Sequence, residues 1–78
     1  MKELLEFIAK SLVNNPDAVS VTEILMDSDR AITLELRVAK EDMGKVIGRQ
    51  GKIARTIRTI MKAAAVKENT RVQVDIVQ

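Results

Sequence analysis

The chain of 78 residues contains no cysteine and no histidine. Disulfides, thiolate chemistry, His metal ligands and His general bases are therefore unavailable to it, and the lack of cysteine fits a reducing compartment. Its longest apolar run, Ala63–Val66, is far too short to span a bilayer, which takes about 20 residues. Glu3 and Glu6 interrupt the order of a secretory signal peptide. We expect a soluble cytoplasmic protein with no membrane partner.

Aromatic residues and glycines are also scarce. Phe7 is the only aromatic side chain, which disfavours the nucleic-acid-binding modules that stack bases on aromatic platforms. Of the three glycines, Gly48 and Gly51 lie three positions apart. A phosphate loop of the form GxxxxGK[ST] and a dinucleotide fingerprint GxGxxG both require glycine where this chain has Val46, so neither motif is present. No nucleotide cofactor, metal site, catalytic residue or small-molecule substrate is predicted.

Charge is distributed unevenly along the chain. Residues 1–43 carry 5 basic and 9 acidic side chains, a net charge of −4, whereas residues 44–78 carry 8 basic and 2 acidic side chains, a net charge of +6. Between positions 45 and 62 every charged side chain is basic: Lys45, Arg49, Lys52, Arg55, Arg58 and Lys62. Solvated helix faces usually mix both signs, so a cluster of one sign predicts a polyanionic partner.

Helical periodicity occurs in three segments. Apolar residues recur at helical spacing from Leu4 to Val13, with Phe7 in the stripe. Residues 40–47 predict a short helix whose first turn contains Glu41 and Asp42, as the helix dipole prefers. A longer helix follows Gly51, with one apolar face formed by Ile53, Ile57, Ile60, Met61 and Ala64.

Three segments have the composition of strands. Residues 19–26 are rich in β-branched side chains, although Glu23 falls in their apolar row; a bulge or an edge position would explain it. Residues 27–30 have turn composition, and the alternation from Ile32 to Val38 completes a hairpin. Arg71 to Val77 forms the last strand, which can pair in parallel with its predecessor because a long helical crossover joins them.

The predicted order is thus α-β-β-α-α-β, an α+β arrangement in which helices cover one face of a sheet. With no linker, repeat or low-complexity segment, residues 1–78 are expected to form one domain.

The segment between the second and third helices has the chemistry of an anion site. Gly48 and Gly51 can adopt positive φ and let their backbone approach a ligand closely. The helix that begins near Gly51 directs N–H groups and the positive end of its dipole to the same place. Arg49 and Lys52 add positive charge there, which is unfavourable for the helix itself and therefore typical of a functional site.

These residues resemble a known family. The run Val46-Ile47-Gly48-Arg49-Gln50-Gly51 is similar to the Ile-Gly-x-x-Gly signature between two helices of the KH domain, and the element order is that of the prokaryotic, type II KH fold. The resemblance covers essentially the whole chain and is closest to the small bacterial single-KH RNA-binding proteins of the KhpA (YlqC) family. It implies a three-stranded mixed sheet covered on one face by three helices.

The resemblance also implies a mechanism, in which a GxxG loop clamps about four nucleotides of single-stranded RNA. It places the clamp at Gly48, Arg49, Gln50 and Gly51, the surrounding charge at Lys45, Lys52 and Arg55, and the base groove, or the packing beneath it, at Val46, Ile47 and Ile53. It further implies a homodimer, or a heterodimer with a larger Jag-like (KhpB) RNA-binding protein. The function expected is that of an RNA chaperone or post-transcriptional regulator without enzymatic activity.

Two other functions fit the residues. The acidic N-terminal half and a sheet edge could serve a protein-interaction or dimerisation module in which the glycine turn is vestigial. Single-stranded DNA is an alternative ligand, because no reader of the ribose 2′-hydroxyl is visible in the sequence. A DNA-reading helix-turn-helix also contains glycine in its turn, but two glycines after so short a helix fit it less well.

Overall fold

The computed structural model of the protein describes residues 1–25 and 31–77. Its regular elements are α1 (Lys2–Leu12), β1 (Ser20–Leu25), β2 (Ala31–Arg37), α2 (Met43–Ile47), α3 (Lys52–Lys67) and β3 (Arg71–Val77). Short 3₁₀ turns lie at Pro16–Ala18, Lys40–Asp42 and Arg49–Gly51. The predicted order α-β-β-α-α-β is confirmed, and β3 has the predicted bounds. The predicted turn at residues 27–30, with position 26 before it, lies outside the described residues.

The three strands form one mixed sheet in the order β1-β2-β3. β1 and β2 are antiparallel, with Val21 opposite Leu36, whereas β2 and β3 are parallel, with Leu34 beside Val74. The parallel pair predicted from the helical crossover is therefore confirmed. Glu23 lies opposite Leu34 in an unbroken register, so its place on an edge strand, and not a bulge, explains the polar residue in the apolar row.

The core lies between one face of the sheet and the helices. Alternation along β2 directs Leu34 and Leu36 to this face, where they are fully buried. The helices contribute further buried side chains to the same cluster: Leu5, Ala9, Val46, Ile57 and Met61. The opposite face of β2 and β3 carries mostly polar residues.

Two details differ from the sequence-based expectations. Residues 40–47 do not form one helix, because a 3₁₀ turn precedes α2 and Asp42 occupies the junction with its side chain fully buried. Phe7, placed in the apolar stripe of α1, is 70% exposed. The stripe is wider than the surface that α1 buries, since only Leu5 and Ala9 of this helix are fully buried. Along the described ranges, no helix combines the length and apolar character needed to cross a membrane.

Candidate nucleic-acid interface

The turn between α2 and α3 has an unusual backbone that its glycines make accessible. α2 ends where the Gly48 N–H donates to the carbonyl of Gly44 at 2.9 Å. Gly48 then has φ 75° and ψ 175°, a conformation that is essentially restricted to glycine. Gln50 and Gly51 follow in the left-handed region, with φ of 58° and 74°. The positive φ predicted for both glycines is confirmed, and Gln50 adopts one as well.

Gly48 also lies directly against the side chain of Ile53. A Cβ built on Gly48 would lie 2.6 Å from Cγ1 and 2.9 Å from Cβ of Ile53, closer than real atoms approach. By contrast, a Cβ on Gly51 would meet nothing within 4 Å. The two glycines therefore have different roles: Gly48 allows the turn to pack on α3, whereas Gly51 allows the chain to enter that helix and leaves open space beside its backbone.

The basic side chains around the turn differ in how they are held. Arg49 and Lys52 are exposed at the turn and the start of α3. Lys45 projects from α2, with Nζ 3.8 Å from Oδ1 of Asp42. Arg55, one turn into α3, donates from Nη1 to the carbonyl of Gln50 at 3.0 Å. All four lie on the turn or within one helical turn of it along the chain, so their positive charge belongs to the segments that adjoin the turn.

The start of α3 offers fewer N–H groups than the sequence predicted. The Gly51 N–H donates to the carbonyl of Gly48 at 3.1 Å, and the Lys52 N–H donates to the carbonyl of Arg49. These two bonds close the 3₁₀ turn and occupy donors that we expected an anion to use. Side-chain charge must therefore contribute more to an anion site here than the helix terminus does.

The aliphatic residues assigned to a base groove have different positions. The side chain of Val46 is fully buried in the core and cannot contact a ligand, so it belongs to the packing beneath the turn. Ile53 is partly buried and packs on the core and on Gly48. Ile47 is partly exposed at the end of α2, which makes it the member of the set open to a base.

Three rows of side chains run along α3, each at the spacing i, i+3, i+7 that places residues on one side of a helix. The middle row faces the core and consists of Ala54, Ile57, Met61 and, one turn later, Ala65. One flank carries the basic row, formed by Arg55, Arg58 and Lys62. The other flank carries the apolar row, formed by Ile53, Thr56 and Ile60.

The basic row connects the turn to the sheet edge. Arg58 donates from Nε to the carbonyl of Val74 on β3 at 3.2 Å. Arg58 and Lys62 line a shallow cavity of about 230 Å³ with residues 72–74 of the same strand. Because β3 is an edge strand, this cavity opens beside a strand that has a partner on one side only. A path of positive charge thus leads from the turn along α3 to β3.

The apolar row lines a groove on the opposite flank of α3. The groove has a volume of about 370 Å³ and lies between α1 and α3. We call it the apolar groove. It is lined by Ile8, Leu12, Lys52, Ile53, Thr56, Ile57 and Ile60. Ile60 is 42% exposed, so apolar surface on this flank is open to solvent.

Asp42 is a structural residue that the sequence did not reveal. Its Oδ1 and Oδ2 accept hydrogen bonds from the backbone N–H groups of Asn14 and Asn15, at 3.2 and 3.0 Å. The carboxylate thereby fastens the start of α2 to the segment after α1. Helix-dipole reasoning explained its residue type but not this contact, since its partners are 28 and 27 positions away in the chain. Among the residues that the structure describes, no group of three or more His, Cys, Asp or Glu side chains could hold a metal ion.

Comparison with known proteins gives a consistent result. The family model described as the KH domain of KhpA/KhpB matches residues 2–76. A relative from Clostridium acetobutylicum, named RNA-binding protein KhpA, is 64% identical over 99% of this chain and 100% of its own length. Proteins with the same name from Clostridium perfringens and Borreliella burgdorferi are 60% and 51% identical, over 99% and 95% of this chain and 100% and 88% of their own lengths. No solved structure matches the chain with significant similarity.

Proposed function

The chain belongs to the KhpA/KhpB KH-domain family, and on this premise we propose that it binds single-stranded RNA at the turn between α2 and α3. The observation that carries the proposal is the Gly48 backbone, which is restricted to glycine and exposes Arg49 and Gln50 on a turn between two helices. The backbone at Gly51 is open, since a Cβ there would meet nothing within 4 Å, and it lets an RNA backbone approach closely. The names of the relatives support RNA as the polyanion.

In this proposal, the charges determine where the RNA lies. Arg49 and Lys52 contact the phosphates nearest the turn, and Lys45 reaches them from α2. The RNA strand then follows the basic row of α3 towards β3, where Arg58 already contacts a backbone carbonyl. Bases lie beside Ile47 and the edge of β3 without aromatic stacking, because the one aromatic residue, Phe7, is on α1. Such a site suits a small RNA chaperone or post-transcriptional regulator that needs no enzymatic activity.

The test is fluorescence anisotropy with a short degenerate single-stranded RNA at low salt. The variant Arg49→Asp/Gln50→Asp reverses the charge of the exposed turn and should weaken binding at least tenfold, since each lost phosphate contact removes a favourable electrostatic interaction. The control Lys10→Asp/Ser11→Asp makes the same charge change at two exposed positions of α1 and should bind almost as well as the wild type. Equal binding by a folded turn variant and the wild type would refute the proposal.

The same assay separates the proposal from its alternatives. Competition between RNA and DNA oligomers of matched sequence measures the preference for ribose. A DNA competitor that displaces RNA at equal concentration would make the site a general binder of single strands. Absence of RNA binding at low salt would favour the protein-interaction module with a vestigial turn.

We also propose that a second copy of the chain covers the apolar groove. The groove is uncharged except for Lys52 at the start of α3, and its lining includes two exposed apolar side chains, Leu12 and Ile60. An isologous dimer buries the same patch on both subunits, so one such face is sufficient for a closed pair. Because the matching family model describes KhpA and KhpB together, the related domain of a Jag-like KhpB protein is the heterodimer partner to compare.

Light scattering after size exclusion tests this interface. Ile60→Glu places a charge in the apolar groove and should shift the protein to a monomer, because burying an unpaired charge is costly. Val66→Glu is the matched control, since Val66 is 76% exposed on the same helix but does not line the groove. A wild type that is monomeric at high concentration, or a dimer unaffected by Ile60→Glu, would contradict the assignment. Exchange into a mixed complex with KhpB would identify the heterodimer.

A further inference from the structure

Gln50 occupies a conformation that its side chain makes unfavourable. Its φ of 58° and ψ of 25° lie in the left-handed region, which residues with a Cβ seldom adopt. It lies between two glycines, but glycine itself is not present at this position. A strained residue persists when its surroundings hold it in place. Its exposed place at the proposed RNA contact indicates that the strain is related to function.

Arg55 provides the contact that holds Gln50. Its Nη1 donates to the Gln50 carbonyl at 3.0 Å, and the two residues are five positions apart, on opposite sides of the junction between the turn and α3. The carbonyl orientation depends on ψ of Gln50 and φ of Gly51, which are the angles that lead the chain into the helix. A donor fixed on the first turns of α3 therefore restrains the conformation of the turn from its C-terminal side.

We propose that Arg55 is a positioning residue, whose guanidinium keeps Gln50 left-handed and thereby shapes the turn before RNA binds. This inference rests on the proposed function, because it assigns a role within the same site. It differs from the role expected from the sequence, in which Arg55 supplies charge to phosphates. The planar guanidinium of arginine has several donors in a fixed arrangement and a long reach. The ammonium of lysine is a compact point charge on a shorter side chain.

Two variants distinguish positioning from charge. Arg55→Lys keeps the charge and nearly the same helix propensity but loses the guanidinium. If Arg55 positions the turn, this variant binds short single-stranded RNA about 3- to 10-fold more weakly, the effect of one ordinary hydrogen bond at an exposed site, with an unchanged salt dependence. If Arg55 only supplies charge, Arg55→Lys binds as the wild type does, and Arg55→Gln alone lowers the salt dependence.

A second substitution tests the mechanism itself. Gln50→Gly removes the conformational penalty, so the turn needs no restraint at this residue. In that background, Arg55→Lys should change RNA affinity by less than about twofold, because the contact no longer has a strained residue to hold. An effect of Arg55→Lys that is equally large with glycine at position 50 would overturn the proposal, as would wild-type affinity of the single variant.

A measurement without RNA separates this inference from the proposed function. A residue with positive φ has a short intraresidue distance between its amide and α protons, so Gln50 should give a strong NOE between them in the wild type. Arg55→Lys should weaken this NOE, and Arg55→Gln should weaken it further. Unchanged NOE intensity would refute the positioning role even if RNA binds. A weakened NOE in a protein that binds no RNA would retain the positioning role and refute the RNA site.

Discussion

The three glycines allow a quantitative test of how the turn is built. Replacing each in turn with alanine adds the same methyl group to three different environments. Gly48→Ala places a Cβ in a backbone region that costs about 1–3 kcal/mol for any residue other than glycine. The methyl also meets Ile53 at 2.6 Å, and overpacking of this kind costs a further 1–3 kcal/mol or so. We therefore expect Gly48→Ala to lower the free energy of unfolding by about 2–6 kcal/mol.

The other two glycines serve as matched controls. Gly51→Ala meets nothing within 4 Å and incurs only the left-handed penalty, about 1–2 kcal/mol. Gly44 lies inside α2 with open space around its Cβ position, so Gly44→Ala should stabilise the protein by roughly 0.5–1 kcal/mol. The expected order of stability is Gly44→Ala, wild type, Gly51→Ala, Gly48→Ala. Against a total of about 4–12 kcal/mol for a chain of 78 residues, the last substitution can unfold the protein.

Urea unfolding followed by far-ultraviolet circular dichroism measures the series, because the chain has no Trp or Tyr for a fluorescence assay. Part of the steric cost is isolated by repeating Gly48→Ala in an Ile53→Ala background, which removes Cγ1 and Cδ1 of residue 53 but keeps its Cβ at 2.9 Å. There the cost of Gly48→Ala should fall by part of the overpacking contribution, about 1 kcal/mol. A Gly48→Ala variant no less stable than Gly51→Ala would refute the claim that Gly48 allows the turn to pack on α3.

Three other expectations concern contacts away from that packing. Asp42→Ala leaves two backbone donors without their acceptor and should lower the free energy of unfolding by about 2–4 kcal/mol, measured by thermal melting. Glu41→Ala should leave it almost unchanged, because Glu41 is exposed. Asn69→Gly should raise the free energy of unfolding by up to about 1 kcal/mol, since φ at this helix C-terminus is 55°. The slope of log affinity against log salt should be roughly −1.4 to −2.8 for two to four phosphate contacts. Arg49→Gln should reduce its magnitude by about 0.7, and Lys10→Gln should leave it unchanged; equal slopes for all three proteins would contradict an RNA contact at Arg49.

Local periodicity accounts for most of the fold that the sequence predicted. The alternation of apolar and polar residues predicted the bounds of β3. In β2 the same alternation predicted which side chains face the core, because the side chains of a strand alternate between the two faces of the sheet. The positions of the glycines predicted the positive φ angles at Gly48 and Gly51, since few other residues adopt them. These features depend on neighbours in the chain, which is the information that one sequence contains.

Long-range contacts account for what could not be predicted. The burial of Asp42 depends on backbone donors after α1, and the bond from Arg58 to Val74 depends on how α3 crosses the sheet. The resemblance assigns Val46 either to the base groove or to the packing beneath it, and its complete burial, which depends on the elements that pack around α2, favours the packing. Phe7 is exposed because it is two positions from both Leu5 and Ala9, about 200° around α1 from the face that these buried residues form.

The turn separates residues that can be changed freely from residues that cannot. Arg49 and Gln50 project into solvent, so substitutions there change the proposed RNA contact with little effect on the core. Gly48 and Ile53 lie beneath them, and Ile53 also lines the apolar groove and packs on the core. Substitutions at Ile53 therefore change stability, the turn and the groove together, because one side chain contacts all three. Loss of RNA binding is informative about the turn when the substituted side chain is exposed, as at Arg49, Gln50 and Arg55, and when the free energy of unfolding is unchanged.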